Sequence, residues 1–170
     1  MSVENLHELL KHELGDLLYA EKTILKGLKK MAKETKDPAI RERLEQHYTE
    51  TEGQITNLES AFEAIGEKAR AQKCPGILGI MEEKKEFDEE EAESPVIKQA
   101  FNLGAGMRVE HYEIAAYTSA IAVAKVTGNR ECADLLAQNL AQEVEMEKFL
   151  RSVSAKALKD LQAQLATEEE

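Results

Sequence analysis

The stretch RVEHYEIAAY, residues 108–117, places two glutamates where a helix of this composition should bury alanine or leucine. On an α-helix Glu110 lies about 60° from Glu113, and Tyr117 about 40° from Glu113. Gly106, Tyr117, Ala120 and Ala124 share that stripe, which is the face expected to pack inward. One glutamate there could snorkel from an edge, but two repel unless something positive sits between them.

The surrounding chain makes a helix the only economical setting for this stretch. Its 170 residues suit one domain with a sizeable core. Alanine, leucine, glutamate and lysine dominate, tryptophan is absent and there are three prolines, with no period-2 strand pattern anywhere. The expected class is all-α. A net charge of −11 argues against nucleic acid or an anionic membrane as partner. No run is apolar enough to span a bilayer, and MSVENLHELL lacks the features of a secretory leader, so the cytoplasm is the expected compartment. Cys74 and Cys132 are too few and too distant for a disulfide framework or a CxxC metal clip.

Punctuation divides the chain into helices over 2–34, 38–65, 95–127, 130–151 and 154–166, with a crossover over 66–94. Asp37–Pro38 and Ser94–Pro95 are cap-plus-proline starts; Gly66 and Thr127–Gly128 are stops, and Asn129 can cap the helix that follows. GEKARAQKCPG reads as a linker, and ILGIMEEKKEFDEEEAE as a short acidic helix or partly ordered connection. Two helical hairpins joined by a long crossover predict a ferritin-like four-helix bundle with a fifth, C-terminal helix.

The other long helices carry the same anomaly. The first has a seam of Leu10, Leu14, Leu17, Glu21, Ile24, Leu28 and Met31, which puts Glu21 at a core position. The helix from 130 has Cys132, Leu136, Leu140, Glu143, Glu147 and Leu150. The helix from 38 has Ile40, Leu44, Thr51, Ile55, Leu58 and Phe62, with Glu50 at the stripe's edge and His47 and Gln54 between it and the centre. Glu21 to Glu50 is 29 residues and Glu113 to Glu143 is 30, so the hairpins look like an internal repeat that sets carboxylates at one height. Burying them uncompensated is prohibitively costly, and no Arg or Lys interrupts the stripes at that height. Two metal ions would resolve the conflict, and hard oxygen ligands with one imidazole suit iron or manganese.

LLYAEKTIL, EQHYTETEGQITNLE and VEHYEIAAYTSAIAVAK resemble the YciE/YciF-type stress-response family of ferritin-like proteins, over roughly residues 3–160. The resemblance implies a rubrerythrin-like bundle, a homodimer and a dinuclear metal site of two ions per chain, iron first and manganese or zinc next. Carried over by position, its metal-site candidates are Glu21, Glu50, Glu110, Glu113 and Glu143. The chain departs from the usual Glu-x-x-His, because Glu50 is followed by Gly53 and Glu143 by Met146. His47 is then the available imidazole, as a ligand or as a group orienting Glu50. Glu147, Gln54 and Tyr117 are expected around the cluster, while His7, His12 and His111 read as surface or interface residues and both cysteines as ordinary thiols.

Two functions follow as expectations: a redox centre that oxidises ferrous ion or reduces peroxide, or a metal-holding stress protein without turnover. A structural bundle without metal is the third. No CxxC pair is present to deliver electrons, so the sequence names no electron donor.

Overall fold

The structure, a computed structural model, describes residues 3–168. Five α-helices follow in order: α1 (Leu6–Glu34), α2 (Pro38–Ala64), α3 (Pro75–Glu86), α4 (Pro95–Val126) and α5 (Arg130–Glu168). A π-helical stretch, Phe87–Glu91, extends α3. Helices α1 and α2 form one hairpin and α4 and α5 the other; α2 packs on α5 and α1 on α4, closing a ring of four. The crossover runs the length of the bundle, with α3 against α4.

Local chemistry fixes the ends. Asp37 accepts from the backbone N–H of Ala39 (2.9 Å) and Ile40 (3.2 Å), and Pro38 occupies the first turn, where no donor is needed. Ser94 caps α4 by accepting from Ile97 N–H at 3.3 Å. Gly66 (φ 76°) and Gly128 (φ 79°) adopt the left-handed conformation that ends α2 and α4. The chain then folds back, Glu67 N–H donating to Phe62 O (2.9 Å) and Asn129 N–H to Ala124 O (2.8 Å).

Some boundaries differ from the sequence reading. Helix α1 starts at Leu6, capped by Asn5, whose Oδ1 accepts from Glu8 N–H at 3.0 Å; Ser2, the expected start, lies outside the described residues. The expected break at 152–153 is absent, so the fourth and fifth predicted helices are one, α5. Ser152 and Ser154 do not interrupt it because their hydroxyls donate to the carbonyls of Phe149 (2.7 Å) and Leu150 (2.6 Å), within the same helix. Asn129 does not cap α5 with its side chain, which donates instead to Thr127 Oγ1 at 2.8 Å. The segment read as a linker, 66–76, runs into α3: Pro75 and Gly76 open that helix, and buried Cys74 caps it, its sulfur 3.5 Å from Ile77 N and 2.7 Å from Tyr112 Oη.

Two apolar clusters make up the core. One gathers Leu10, Leu14 and Leu17 with Leu58, Phe62, Ala124 and Leu136. The other gathers Ile24, Leu28, Leu44, Leu103, Met146 and Leu150. Full burial of each large aliphatic side chain contributes about 1.5–3 kcal/mol. Between the clusters lies a belt of buried polar side chains drawn from all four long helices: Glu21, His47, Thr51, Gln54, Glu110, Glu113, Asn139 and Glu143.

Candidate metal centre

Each member of the belt sits on a helix face that is apolar above and below it. Glu21 follows Leu14 and Leu17 and precedes Ile24 on α1; Glu110 and Glu113 lie between Leu103 and Tyr117 on α4. The bundle's packing therefore carries these carboxylates inward, with Glu21, Glu113 and Glu143 almost wholly enclosed.

Two groups of ligand atoms form within the belt. Atoms of His47, Glu110 and Glu143 lie within 4.8 Å of one another, as do atoms of Glu21, Glu113 and Glu143. Glu143 belongs to both. His47 Nε2 stands 3.7 Å from Glu110 Oε1 and 3.7 Å from Glu143 Oε2.

Glu50 is not brought into either group. It is partly exposed and sits outside His47, with Oε2 3.2 Å from His47 Nδ1 and accepting from Arg43 at 2.9 Å. Gln46 donates to its other oxygen at 2.7 Å. This corrects the expectation that no basic residue reaches that height: Arg43, two turns earlier on α2, folds along the helix onto Glu50. The His47 contact, with Arg43 and Gln46 in support, lowers the Glu50 carboxyl to about 2. An ionised Glu50 can only accept, so Nδ1 is the ring nitrogen that donates to it, and Nε2 faces Glu110 and Glu143.

A hydrogen-bond chain braces the inner carboxylates. Tyr117 donates its hydroxyl to Glu21, and Gln54 donates its side-chain amide to Glu143. Asn139 joins them, donating to Tyr117 Oη (3.0 Å) and to the Gln54 carbonyl (3.2 Å), while Asn57 donates to Asn139 Oδ1 at 2.8 Å. Sequence reasoning missed Asn139 and put Leu140 in the seam, although Asn139 is fully buried and Leu140 is not. Spacing alone contained the clue, since Asn139 lies four residues before Glu143. The seam of α2 likewise runs through His47 and Gln54 rather than Ile55. Glu147 is also buried but joins neither group: Arg151 Nε donates to it at 2.8 Å and His111 Nε2 stands at 3.7 Å.

Burial pushes Glu21, Glu110 and Glu113 well above the ordinary carboxylate range, and their neighbours' negative charges push further. Glu143 is also raised by burial, opposed by His47 and by the Gln54 and Glu110 hydrogen bonds. Burial and the charges of Glu21 and Glu113 raise the Tyr117 phenol. Several buried atoms still have no partner: His47 Nε2, Glu110 Oε2, both Glu113 oxygens and Glu143 Oε2. All belong to the two groups, and each can offer a lone pair to a cation once its proton is released.

Comparison with known proteins agrees with the architecture. Residues 5–163 match the family described as a domain of unknown function, DUF892. The chain is 31% identical to protein YciF of Escherichia coli strain K12 over 144 residues, covering 84% of this chain and 86% of YciF. The crystal structure of the E. coli stress protein YciF superimposes with a TM-score of 0.84 at 28% identity, covering 92% of this chain and 99% of that one. YcfI from Rhodopseudomonas palustris gives 0.84 at 33% identity, covering 89% and 96%. With nearly its whole length matched by the family and by YciF, this chain is a member of the DUF892 family, of the YciE/YciF type.

Proposed function

We propose that the belt is a dinuclear metal centre of ferritin-like type, binding two ions per chain. His47, Glu110 and Glu143 would hold one ion and Glu21, Glu113 and Glu143 the other, with Glu143 shared. The observation that carries this reading is the set of unpartnered lone-pair atoms converging in those two groups. Oxygen ligands with one imidazole suit iron first, then manganese, with zinc also accommodated. Iron or manganese there would supply one-electron chemistry toward oxygen or peroxide, which zinc would not. The chain's own residues set the conditions for it: Glu50 and Arg43 orient His47, and Asn139 and Tyr117 hold Glu21. Ferrous oxidation or peroxide reduction is the turnover this centre fits. Metal holding without turnover is the second reading, favoured by the single imidazole of the donor set.

Because Glu143 is shared, its replacement is the decisive experiment. Protein produced without chelator should contain about two metal ions per chain by elemental analysis, and Glu143→Gln should lose both. Metal-free wild type, with no uptake of ferrous, manganous or zinc ion, would leave a structural bundle. Uptake of two ferrous ions without oxygen or peroxide consumption would decide for metal holding.

A further inference from the structure

A cavity of about 1030 Å³ opens beside the α1–α2 turn and the start of α4 and runs inward to Glu110. That volume is at the upper end of ordinary small-molecule sites, about 300–1,000 Å³. Its lining along α4 extends from Pro95 to Glu110, about 22 Å at 1.5 Å per residue. The inner walls are aliphatic, with Ile24, Leu28, Leu44, Val109, Met146 and Leu150, and no aromatic ring lines it among the described residues. Charges of both signs stand around the outer part: Lys30, Lys36 and Lys98 beside Glu34, Asp37 and Asp160.

Three buried oxygens on the lining have no hydrogen-bond partner: Glu110 Oε2, Asn102 Oδ1 and Asp88 Oδ1. All are acceptors, and Glu110 is only 3% exposed. A metal ion in the belt could engage Glu110. It could not reach Asn102, two turns or about 12 Å back along α4. The cavity thus combines an aliphatic wall with an inner end at Glu110, a carboxyl already crowded by the charges of Glu143 and Glu21, where a further anion is disfavoured.

We propose that this cavity binds a linear aliphatic molecule ending in a hydrogen-bond donor, an alkanol or an alkylamine, with its polar end toward Glu110. The chain lies along the aliphatic wall, and the hydroxyl or ammonium group supplies the donor that Glu110 Oε2 lacks. A fatty acid has the same tail, but pointed inward its carboxylate meets the Glu110 carboxyl, and pointed outward it leaves Glu110 Oε2 unmatched.

The test uses the full chain stripped of metal, with its methionine methyls isotopically labelled, titrated separately with 1-decanol, decylamine and decanoate. Met31, Met81 and Met146 line the cavity and Met107 does not. Saturable one-to-one binding of the alcohol or the amine should shift the first three methyls and leave Met107 in place. Binding of decylamine alone assigns the ligand a cationic end; binding of both shows that a neutral donor suffices. Decanoate should bind at least about tenfold more weakly, and Ala157→Trp, which fills the cavity from α5, should weaken the preferred ligand by a similar factor. Absence of saturation, shifts that extend to Met107, or decanoate binding as tightly as the others would overturn the proposal. Should Ala157→Trp fail to fold, the wild-type methyl pattern and the decanoate comparison decide the matter. Since the protein is metal-free throughout, a negative result leaves the metal reading standing, and absence of metal uptake leaves this one standing.

Discussion

At Glu113 both carboxyl oxygens are buried with only other carboxyls around them, and the negative charges of Glu21, Glu143 and Glu110 all bear on it. Glu113→Gln removes one charge from that group at nearly constant volume. The metal-free variant should melt at or above the wild-type temperature, whereas its metal affinity should drop about tenfold or more by calorimetric titration. Glu131→Gln, exposed on the first turn of α5, should leave metal affinity unchanged. Undiminished affinity in Glu113→Gln would remove helix α4 from the metal site. Much of the belt is legible in the sequence, because a glutamate inside a leucine seam at steps of three and four stands out, as Glu21 and Glu143 do. Azimuth at a stripe's edge is harder to read. Glu50 lies about 60° round α2 from His47, and that rotation is enough to exchange their roles: the histidine faces inward and the glutamate meets Arg43.

On the scale of elements, a backbone hydrogen bond ties the crossover to α1 at one small residue. Gln72 N–H donates to Gly15 O at 2.9 Å, and a Cβ on Gly15 would come within 3.0 Å of the Arg70 carbonyl. Both contacts are backbone, so Gly15→Ala must displace the crossover or bend α1. Denaturant unfolding should show a loss of about 1–3 kcal/mol. A stability change within about 0.5 kcal/mol would mean that the crossover yields freely. Nothing in the sequence marks Gly15 for this role, since a glycine inside a helix declares its neighbour only after the chain has folded back on it. Helix ends depend on residues a few positions away, which is why Asp37, Gly66, Ser94 and Gly128 are readable from sequence. The continuity of α5 is not, because serine hydroxyls satisfy a helix interior and a turn with equal ease.

Over the whole molecule, the belt sets how stability responds to pH. In the metal-free protein Glu21, Glu110, Glu113 and Glu143 hold protons above the ordinary carboxylate value of about 4.3. The folded chain then binds more protons than the unfolded chain between that value and the raised ones, so these groups favour folding on the acid side and lose that contribution as pH rises. Glu50, lowered to about 2, has the opposite sign: its contribution is present above about 4.3 and lost as pH falls toward 2. Melting temperature without metal should therefore rise on acidification from pH 8 toward 5 and fall below about 4. With metal bound the slope should reverse between pH 8 and 5, since protons compete for the ligands. Melts in paired pH series, with and without added metal, check both signs; parallel curves would separate the belt from metal binding. The belt also keeps Leu14 and Leu150 in different apolar clusters. A volume lost in one cluster cannot be refilled by a change in the other, so substitutions on opposite sides should be inherited independently, their costs adding rather than compensating. Over evolutionary time the protein can thus drift as two small cores within one chain, with the polar residues between them as their common boundary.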